Sequence, residues 1–191
     1  MGNETFCFIG LGATGIRLVQ ALPVDFLRDK RLHLATHHSS LAEHPHANAL
    51  LLGAKFLHGA GSPSIAQTIK AINMAEKELL AQVQSHQHVV ILADLASDTG
   101  AAAPYLAELL LKHGFTVSLG LLAPFERDKE RDQRWQQRVN GLRAQLNYCE
   151  VFDSPYQESK KGRQTLVHRL LKDVALRVMT LVLSDEVPGQ L

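Results

Sequence analysis

The stretch TFCFIGLGATGIRLVQAL, Thr5 to Leu22, constrains the fold of this chain more than any other. Thr5–Gly10 is short, apolar and rich in β-formers, and glycine stops it, which is the pattern of a buried strand. From Ile16 to Leu22 the apolar residues fall at 16, 18, 19, 21 and 22, the spacing of a helix packed on one side, and Pro23 breaks it. Between the two lie Gly10, Gly12 and Gly15. A strand that turns through glycines into a helix is the first unit of a layered α/β arrangement.

The rest of the chain repeats the alternation. Arg31–His38 reads as a second strand, and Ser62–His86 as an amphipathic helix opened by a Ser-Pro cap. His88–Ala96 is apolar on both faces, as a central parallel strand should be. Ala102–Gly114 reads as a helix ended by glycine and Phe115–Phe125 as a strand. Glu126–Leu146 reads as a solvated helix, Tyr148–Phe152 as a strand, and Ser159–Gly189 as a last long helix stopping at Pro188-Gly189. The expected class is a three-layer, Rossmann-like α/β fold, with a mostly parallel sheet and helices on both faces. Strands near Phe6–Ile9, Val89–Ala93 and Val117–Leu121 should be parallel and adjacent. A length of 191 residues fits one domain on the usual scale of about 100–200 residues.

Composition removes several classes of function. A net charge of +1 gives no electrostatic footprint for nucleic acid. No apolar run approaches the ~20 residues that span a bilayer, and no signal peptide is visible. Cys7 and Cys149 make no CxxC pair and suit a reducing, cytoplasmic setting.

GLGATG fits G-x-G-x-x-G between a strand and a helix, the context this motif needs. Glycines let the backbone approach phosphate, and the N–H groups and dipole of a helix N-terminus hold negative charge. A dinucleotide site also wants an acid at the end of the second strand. Here that strand ends THHSS, Thr36 to Ser40, with no carboxylate and no arginine. An NADP-dependent oxidoreductase domain would have only Ser39 and Ser40 to grip a 2′-phosphate. A ligand-free tight turn is the plainest alternative. DLASDTGAAAP, Asp94–Pro104, supplies a second small-residue turn, whose N–H groups at Ser97–Ala102 could cradle phosphate oxygens. GAGSPS, Gly59–Ser64, is a third loop entering a helix. Two phosphate-cradling turns at neighbouring strand ends suit a nucleoside di- or triphosphate, and Gly10–Gly15 and Ser97–Ala101 are expected to face one cleft.

Taken in order, these loops resemble the nucleotide-binding domain of the FtsZ/tubulin family over nearly the whole chain. FIGLGATGIRLVQAL looks like that family's first glycine loop, and ATHHSSLA sits where it has an Asn-Thr-Asp loop. GAGSPSIAQ is similar to its Gly-Ala-Gly-x-Asn-Pro loop, and ASDTGAAAPYLAELLLKHG to its signature loop followed by Ala-Ala-Pro. LLAPFERDKERDQRW is similar to its Pro-Phe loop, and the last helix to its long central helix. The resemblance implies GTP or GDP as ligand, with Mg²⁺ beside it, in a cytoskeletal or cell-division protein. It also implies self-association or a filament-forming protein partner. The implied nucleotide-binding residues are Gly10, Gly12, Ala13, Thr14 and Gly15, then Ser97, Asp98, Thr99, Gly100 and Ala101. Glu126 and Arg131 approximate the ribose contacts. Asp173 stands where the family reads guanine.

The departures are specific. Where the family has Gly-Gly-Gly-Thr-Gly-Thr-Gly, this chain has Leu95 to Ala101, with most glycines gone and Asp98 added. A carboxylate there opposes phosphate unless Mg²⁺ intervenes. Lys172 cannot imitate the asparagine that precedes the family's guanine-reading acid. In the family, the acidic loop that activates water belongs to a second domain and acts on a neighbouring subunit's nucleotide. The chain reads as one domain over 1–191 without that loop, so GTP hydrolysis by it alone is not expected and no catalytic residue is assigned. The lost glycines also fit a nucleotide-free relative that caps or regulates a filament-forming partner.

Other patterns have plainer readings. His37, His38, His44 and His46 crowd one segment, and His86 and His88 form an H-x-H, yet no carboxylate pattern supports a metal site. ERDKERDQRWQQR mixes charges like a solvated helix face, with Trp135 covering the core. Cys7 and Cys149 lie in expected strands as buried thiols.

Overall fold

The computed structural model describes residues 6–22, 31–43, 48–123 and 129–152, with side chains in the last segment from Trp135 onward. The elements run β1 (Phe6–Leu11), α1 (Gly12–Ala21), β2 (Arg31–Ala35), α2 (His38–Ala42), β3 (Asn48–Leu51), α3 (Ala54–Leu57) and α4 (Ile65–Val83). They continue with β4 (His88–Asp94), a 3-10 turn (Gly100–Ala102), α5 (Ala103–Lys112), β5 (Thr116–Leu122), α6 (Lys129–Leu142) and β6 (Tyr148–Phe152). The helix expected over Ser159–Gly189 lies outside the described residues.

The strands form one six-stranded sheet in the order β3-β2-β1-β4-β5-β6, and every pair is parallel. The expected adjacency holds: Ile9 pairs with Ile91, and Ile91 with Leu119. Side chains alternate across the sheet and most central positions are apolar, with His33, His88 and Ser118 among the buried polar exceptions in β2, β4 and β5, so both faces are covered. Phe6 and Phe8 of β1 and Val90 and Leu92 of β4 pack against Leu18, Val19 and Leu22 at α1. Cys7, Ile9, Val89 and Ile91 point the other way, into a core shared with Ile72 and Leu79 of α4, Leu106 and Leu110 of α5 and Val139 of α6. Helices on the two faces make three layers.

The α1 layer lies unusually close to the sheet. A Cβ placed on Gly15 would stand 2.3 Å from the Leu92 carbonyl oxygen of β4. One on Gly10 would stand 2.7 Å from Ile16 Cα. Two glycines of the G-x-G-x-x-G motif are therefore packing glycines, and Gly12, at φ +76°, is the turn glycine.

Several boundaries differ from the sequence reading for local reasons. α1 starts at Gly12, so Gly12 and Gly15 fall in its first turn while Gly10 lies in β1. β2 stops at Ala35 because His37 caps α2, its imidazole accepting from Ser39 N. The short elements α2, β3 and α3 carry no clear periodic signal, and the sequence reading passed over them. The cap of α4 is Ser64, one residue beyond the Ser-Pro pair, with its hydroxyl accepting from Gln67 N at 3.3 Å. Trp135 is half-buried against the core, and Arg138 of α6 lies over the Tyr105 ring of α5 at 4.0 Å. Arg138 also pairs with Glu108 of α5. A hydrogen bond from Lys112, with Arg138 nearby, holds the Glu108 carboxyl below its usual pKa range.

Gly15→Ala forces a methyl into backbone and should cost near or above the top of the roughly 1–3 kcal/mol typical of overpacking. Gly114→Ala, at φ +82° with nothing within 4 Å, should cost only the conformational penalty of about 1–2 kcal/mol. Urea unfolding midpoints at unchanged m-value check the order.

Candidate functional site

The carboxyl ends of β1, β2 and β4 open on one cavity of about 200 Å³. β1 lies at the point where the strand order reverses, the place where open α/β sheets bind ligands. Gly12 and Ala13 line the cavity from α1; Thr36, His37 and Ser40 from the segment after β2; Gly61 and Ser62 from the approach to α4; and Ser97, Asp98 and Thr99 from the loop after β4. The two loops expected to share a cleft do so. The volume lies below the roughly 300–1,000 Å³ of whole small-molecule pockets, and it suits the phosphate end of a ligand.

On the β1 side the arrangement can hold an anion. Leu11 occupies the N-cap of α1 in an extended conformation and makes no side-chain cap hydrogen bond, and the first turn carries no acid. The positive end of the helix dipole is left to whatever occupies the cavity. Asp94 reaches across to this turn, its Oδ2 accepting from the Thr14 hydroxyl at 3.2 Å, and the Thr99 and Ser97 side chains stand near Gly12. The Thr14–Asp94 bond engages a hydroxyl and none of the turn's backbone donors.

The loop after β4 is different. Asp94 Oδ1 accepts from Ala96 N at 2.8 Å, and the Asp94 carbonyl accepts from Ser97 N at 3.4 Å. The Ser97 hydroxyl donates to the Asp94 carbonyl at 3.2 Å and accepts from Gly100 N at 2.9 Å. Ala101 N donates to Ser97 O and Ala102 N to Thr99 O. Most of the N–H groups that the sequence offered as a second phosphate cradle are thus bonded within the loop. Gly100 is pressed so closely onto the end of β4 that a Cβ would stand 2.0 Å from the Asp94 carbonyl oxygen.

Thr36 ties the remaining loops together. Its Oγ1 accepts from Ser62 N at 3.0 Å and shares a hydrogen bond with Thr99 Oγ1 at 2.8 Å. Since a backbone N–H can only donate, the Thr36 proton is available for Thr99. Gly61 N donates to Thr36 O, and His38 N to Gly59 O. Gly59, at φ +72°, leaves room for the His38 ring, which stands where its Cβ would be. The His37 Nδ1 accepts from Ser39 N at 3.1 Å, so that nitrogen carries no proton. Ser39 Oγ lies 2.7 Å from the same atom. Of the two serines a 2′-phosphate would need, Ser39 is spent on His37 and only Ser40 reaches the cavity.

Among the described residues no lysine or arginine lines the cavity, and Asp98 is the one formally charged side chain. A phosphate charge about 4 Å from that carboxylate would meet a repulsion of roughly 4 kcal/mol at an effective dielectric near 20. The dipole of α1 returns only about 0.3–2 kcal/mol. An anion therefore belongs on the α1 side, away from Asp98, unless it brings its own cation. Among the described residues no group of three or more His, Cys, Asp or Glu is placed to hold a metal ion. His44 and His46 lie outside them.

Of the candidate residues, Gly12, Ala13, Ser97, Asp98 and Thr99 line the cavity. Gly10, Gly15 and Gly100 support it through close packing, Thr14 turns to Asp94, and Ala101 is buried. Arg131 falls within α6, where its side chain is not described, and Glu126 and Asp173 lie outside the described residues. The reading from sequence missed Thr36 and Asp94. An aspartate followed three residues later by serine, at a strand end, is the local turn signal that could have flagged Asp94. The remaining titratable candidates are structural. Cys7 is buried and its thiol pushed up to about 12 by desolvation, and the half-buried Cys149 is raised by the same cause. His88 is buried, 2.8 Å from Ser118 Oγ and stacked on Phe6.

No protein-family profile and no curated protein sequence matches the chain. Solved structures match it closely in shape. CetZ2 from Haloferax volcanii, solved as a GTPγS-bound protofilament, superposes with a TM-score of 0.75 at 17% identity, covering 98% of this chain and 60% of that one. CetZ1 from the same organism, a GDP-bound monomer, gives 0.71 at 16% identity, covering 93% and 60%. FtsZ from M. jannaschii, an empty dimer, gives 0.75 at 19% identity, covering 91% and 54%. The fold is that of the FtsZ/tubulin N-terminal domain, and the chain spans between 54% and 60% of the length of these structures.

Thr36→Val removes the acceptor of Ser62 N and the partner of Thr99 while keeping the volume. It should destabilise the protein by about 1–3 kcal/mol. Amide exchange at Ser62 should accelerate, while exchange in β5 follows only the global loss.

Proposed function

We propose that this chain is a guanine-nucleotide-binding domain of the FtsZ/tubulin type, from a cytoplasmic cytoskeletal or cell-division protein, that does not hydrolyse GTP by itself. The observation that carries the proposal is the uncapped N-terminus of α1, with Gly12 at positive φ, opening on a phosphate-sized cavity at the strand-order switch point. The fold neighbours solved with GTPγS and GDP support the choice of nucleotide, and the protofilament supports self-association.

In this reading Gly12 and Ala13 hold a phosphate through the helix N-terminus, and Thr36, Ser40 and Ser62 supply hydroxyls. Mg²⁺, held mainly by the phosphates, would offset Asp98. Glu126, Arg131 and Asp173 are proposed for the ribose and base. Hydrolysis needs a group that places the attacking water as well as neutralised phosphate charge. The hydroxyls around the cavity supply neither. The nucleotide-free alternative, a regulator of a filament-forming partner, is favoured by one observation: the internally bonded loop after β4. The NADP reading keeps the strand order, which doubly wound dinucleotide folds share, but it has no acid at the end of β2, and of Ser39 and Ser40 only Ser40 lines the cavity.

Titration calorimetry with GDP, GTP and NADP⁺ tests the proposal. Saturable binding of guanine nucleotides, no binding of NADP⁺, and phosphate release at the protein-free rate are expected. Ala13→Asp separates binding from folding. A carboxylate in the first turn of α1 should leave stability equal or raise it by about 0.3–1 kcal/mol, yet weaken nucleotide binding at least about tenfold. Phosphate release that climbs with protein concentration would contradict the absence of hydrolysis.

A further inference from the structure

We propose that Ser97 is a built-in substitute for a terminal phosphate oxygen, so that the site gains nothing from the third phosphate of a nucleoside triphosphate. This rests on the guanine-nucleotide reading of the same cavity. A cradle for a third phosphate needs outward backbone N–H groups in the loop after β4. In this chain the Ser97 hydroxyl already accepts from Gly100 N at 2.9 Å, while its own proton goes to the Asp94 carbonyl at 3.2 Å. The hydroxyl lies 3.6 Å from where a Cβ of Gly12 would stand, between the two loops that face the cavity. It therefore occupies the position from which a bound oxygen would bridge them.

The loop has no slack to turn its donors outward. Gly100 is packed against the Asp94 carbonyl, Ala96 N is held by Asp94 Oδ1, and Thr99 is fastened to Thr36. A γ-phosphate would have to displace a satisfied hydrogen bond and approach Asp98. Its gain is the small difference between two sets of bonds, set against like-charge repulsion. The α-β end, on the α1 side, avoids both costs. The nucleotide state then carries no signal through this loop, and the domain holds its ligand as a fixed part of the structure.

Two measurements test the proposal. In the free protein, amide exchange read by NMR should show Gly100 protected, and Ser97→Ala should speed it at least about tenfold, the loss of one good hydrogen bond. A Gly100 amide that exchanges like an open loop in the wild type overturns the proposal without any ligand. By calorimetry, the wild type should bind GTP no more tightly than GDP. Ser97→Ala should shift the ratio of the two affinities at least about tenfold toward GTP, and Ser97→Thr, which keeps the hydroxyl, should restore the wild-type ratio. A wild type that prefers GTP by tenfold overturns this inference and leaves nucleotide binding standing. Binding by Ser97→Ala where the wild type shows none supports it. No binding of any guanine nucleotide by either protein overturns both readings.

Discussion

The approach of α1 to β4 at Gly15 governs the geometry of the candidate site. Only a residue without a side chain lets the helix descend until its backbone touches the Leu92 carbonyl. That descent places Leu18 and Val19 among Phe8, Val90 and Leu92, and the burial of side chains of this size, worth about 1.5–3 kcal/mol each, holds the layer in place. It also fixes where the first turn of α1 ends up, beside the loop that leaves β4. The cavity is a by-product of this contact. Two segments far apart in sequence are brought together because one helix sits low on two strands.

The core strands and the three-layer class were legible in the sequence because their signal is strong and redundant. β1, β4 and β5 are continuous apolar runs, and the glycines before α1 announce a turn. The short pieces around the site were not. α2 exists because an imidazole caps it, and no rule of composition anticipates a histidine cap. β3 is four residues long with an exposed start, too short for a periodic pattern. The site itself was legible as a set of segments and illegible as a hydrogen-bond pattern. Gly12, Ala13 and Ser97 could be named from their turns. That Asp94 and Ser97 spend the donors of their own loop depends on which way each N–H points, and only coordinates give that.

The described lining of the cavity is mostly hydroxyls and backbone, with no lysine or arginine. Hydroxyls both donate and accept, so Thr36 can accept a hydrogen bond from Ser62 N and donate its own to Thr99. Such a lining stays satisfied without a ligand, which a ring of lysines or arginines would not. Among the described residues charge enters through the dipole of α1 and through Asp98, and the two oppose each other for any anion. Position within the cavity, more than net charge, decides what fits.

The all-parallel sheet has a consequence for synthesis on the ribosome. β1 gains its first neighbour, β2, soon after it is made, but its other partner is β4, and the Thr14–Asp94 bond spans 80 residues. At about 5–20 residues per second the wait is roughly 4–16 s. Throughout it, one edge of Phe6–Leu11, buried at every position in the finished protein, stands open on the nascent chain. Local contacts cannot close that gap, because a parallel pair needs its whole crossover first. The centre of the mature sheet thus pairs late, and until β4 emerges it is a surface a chaperone would meet.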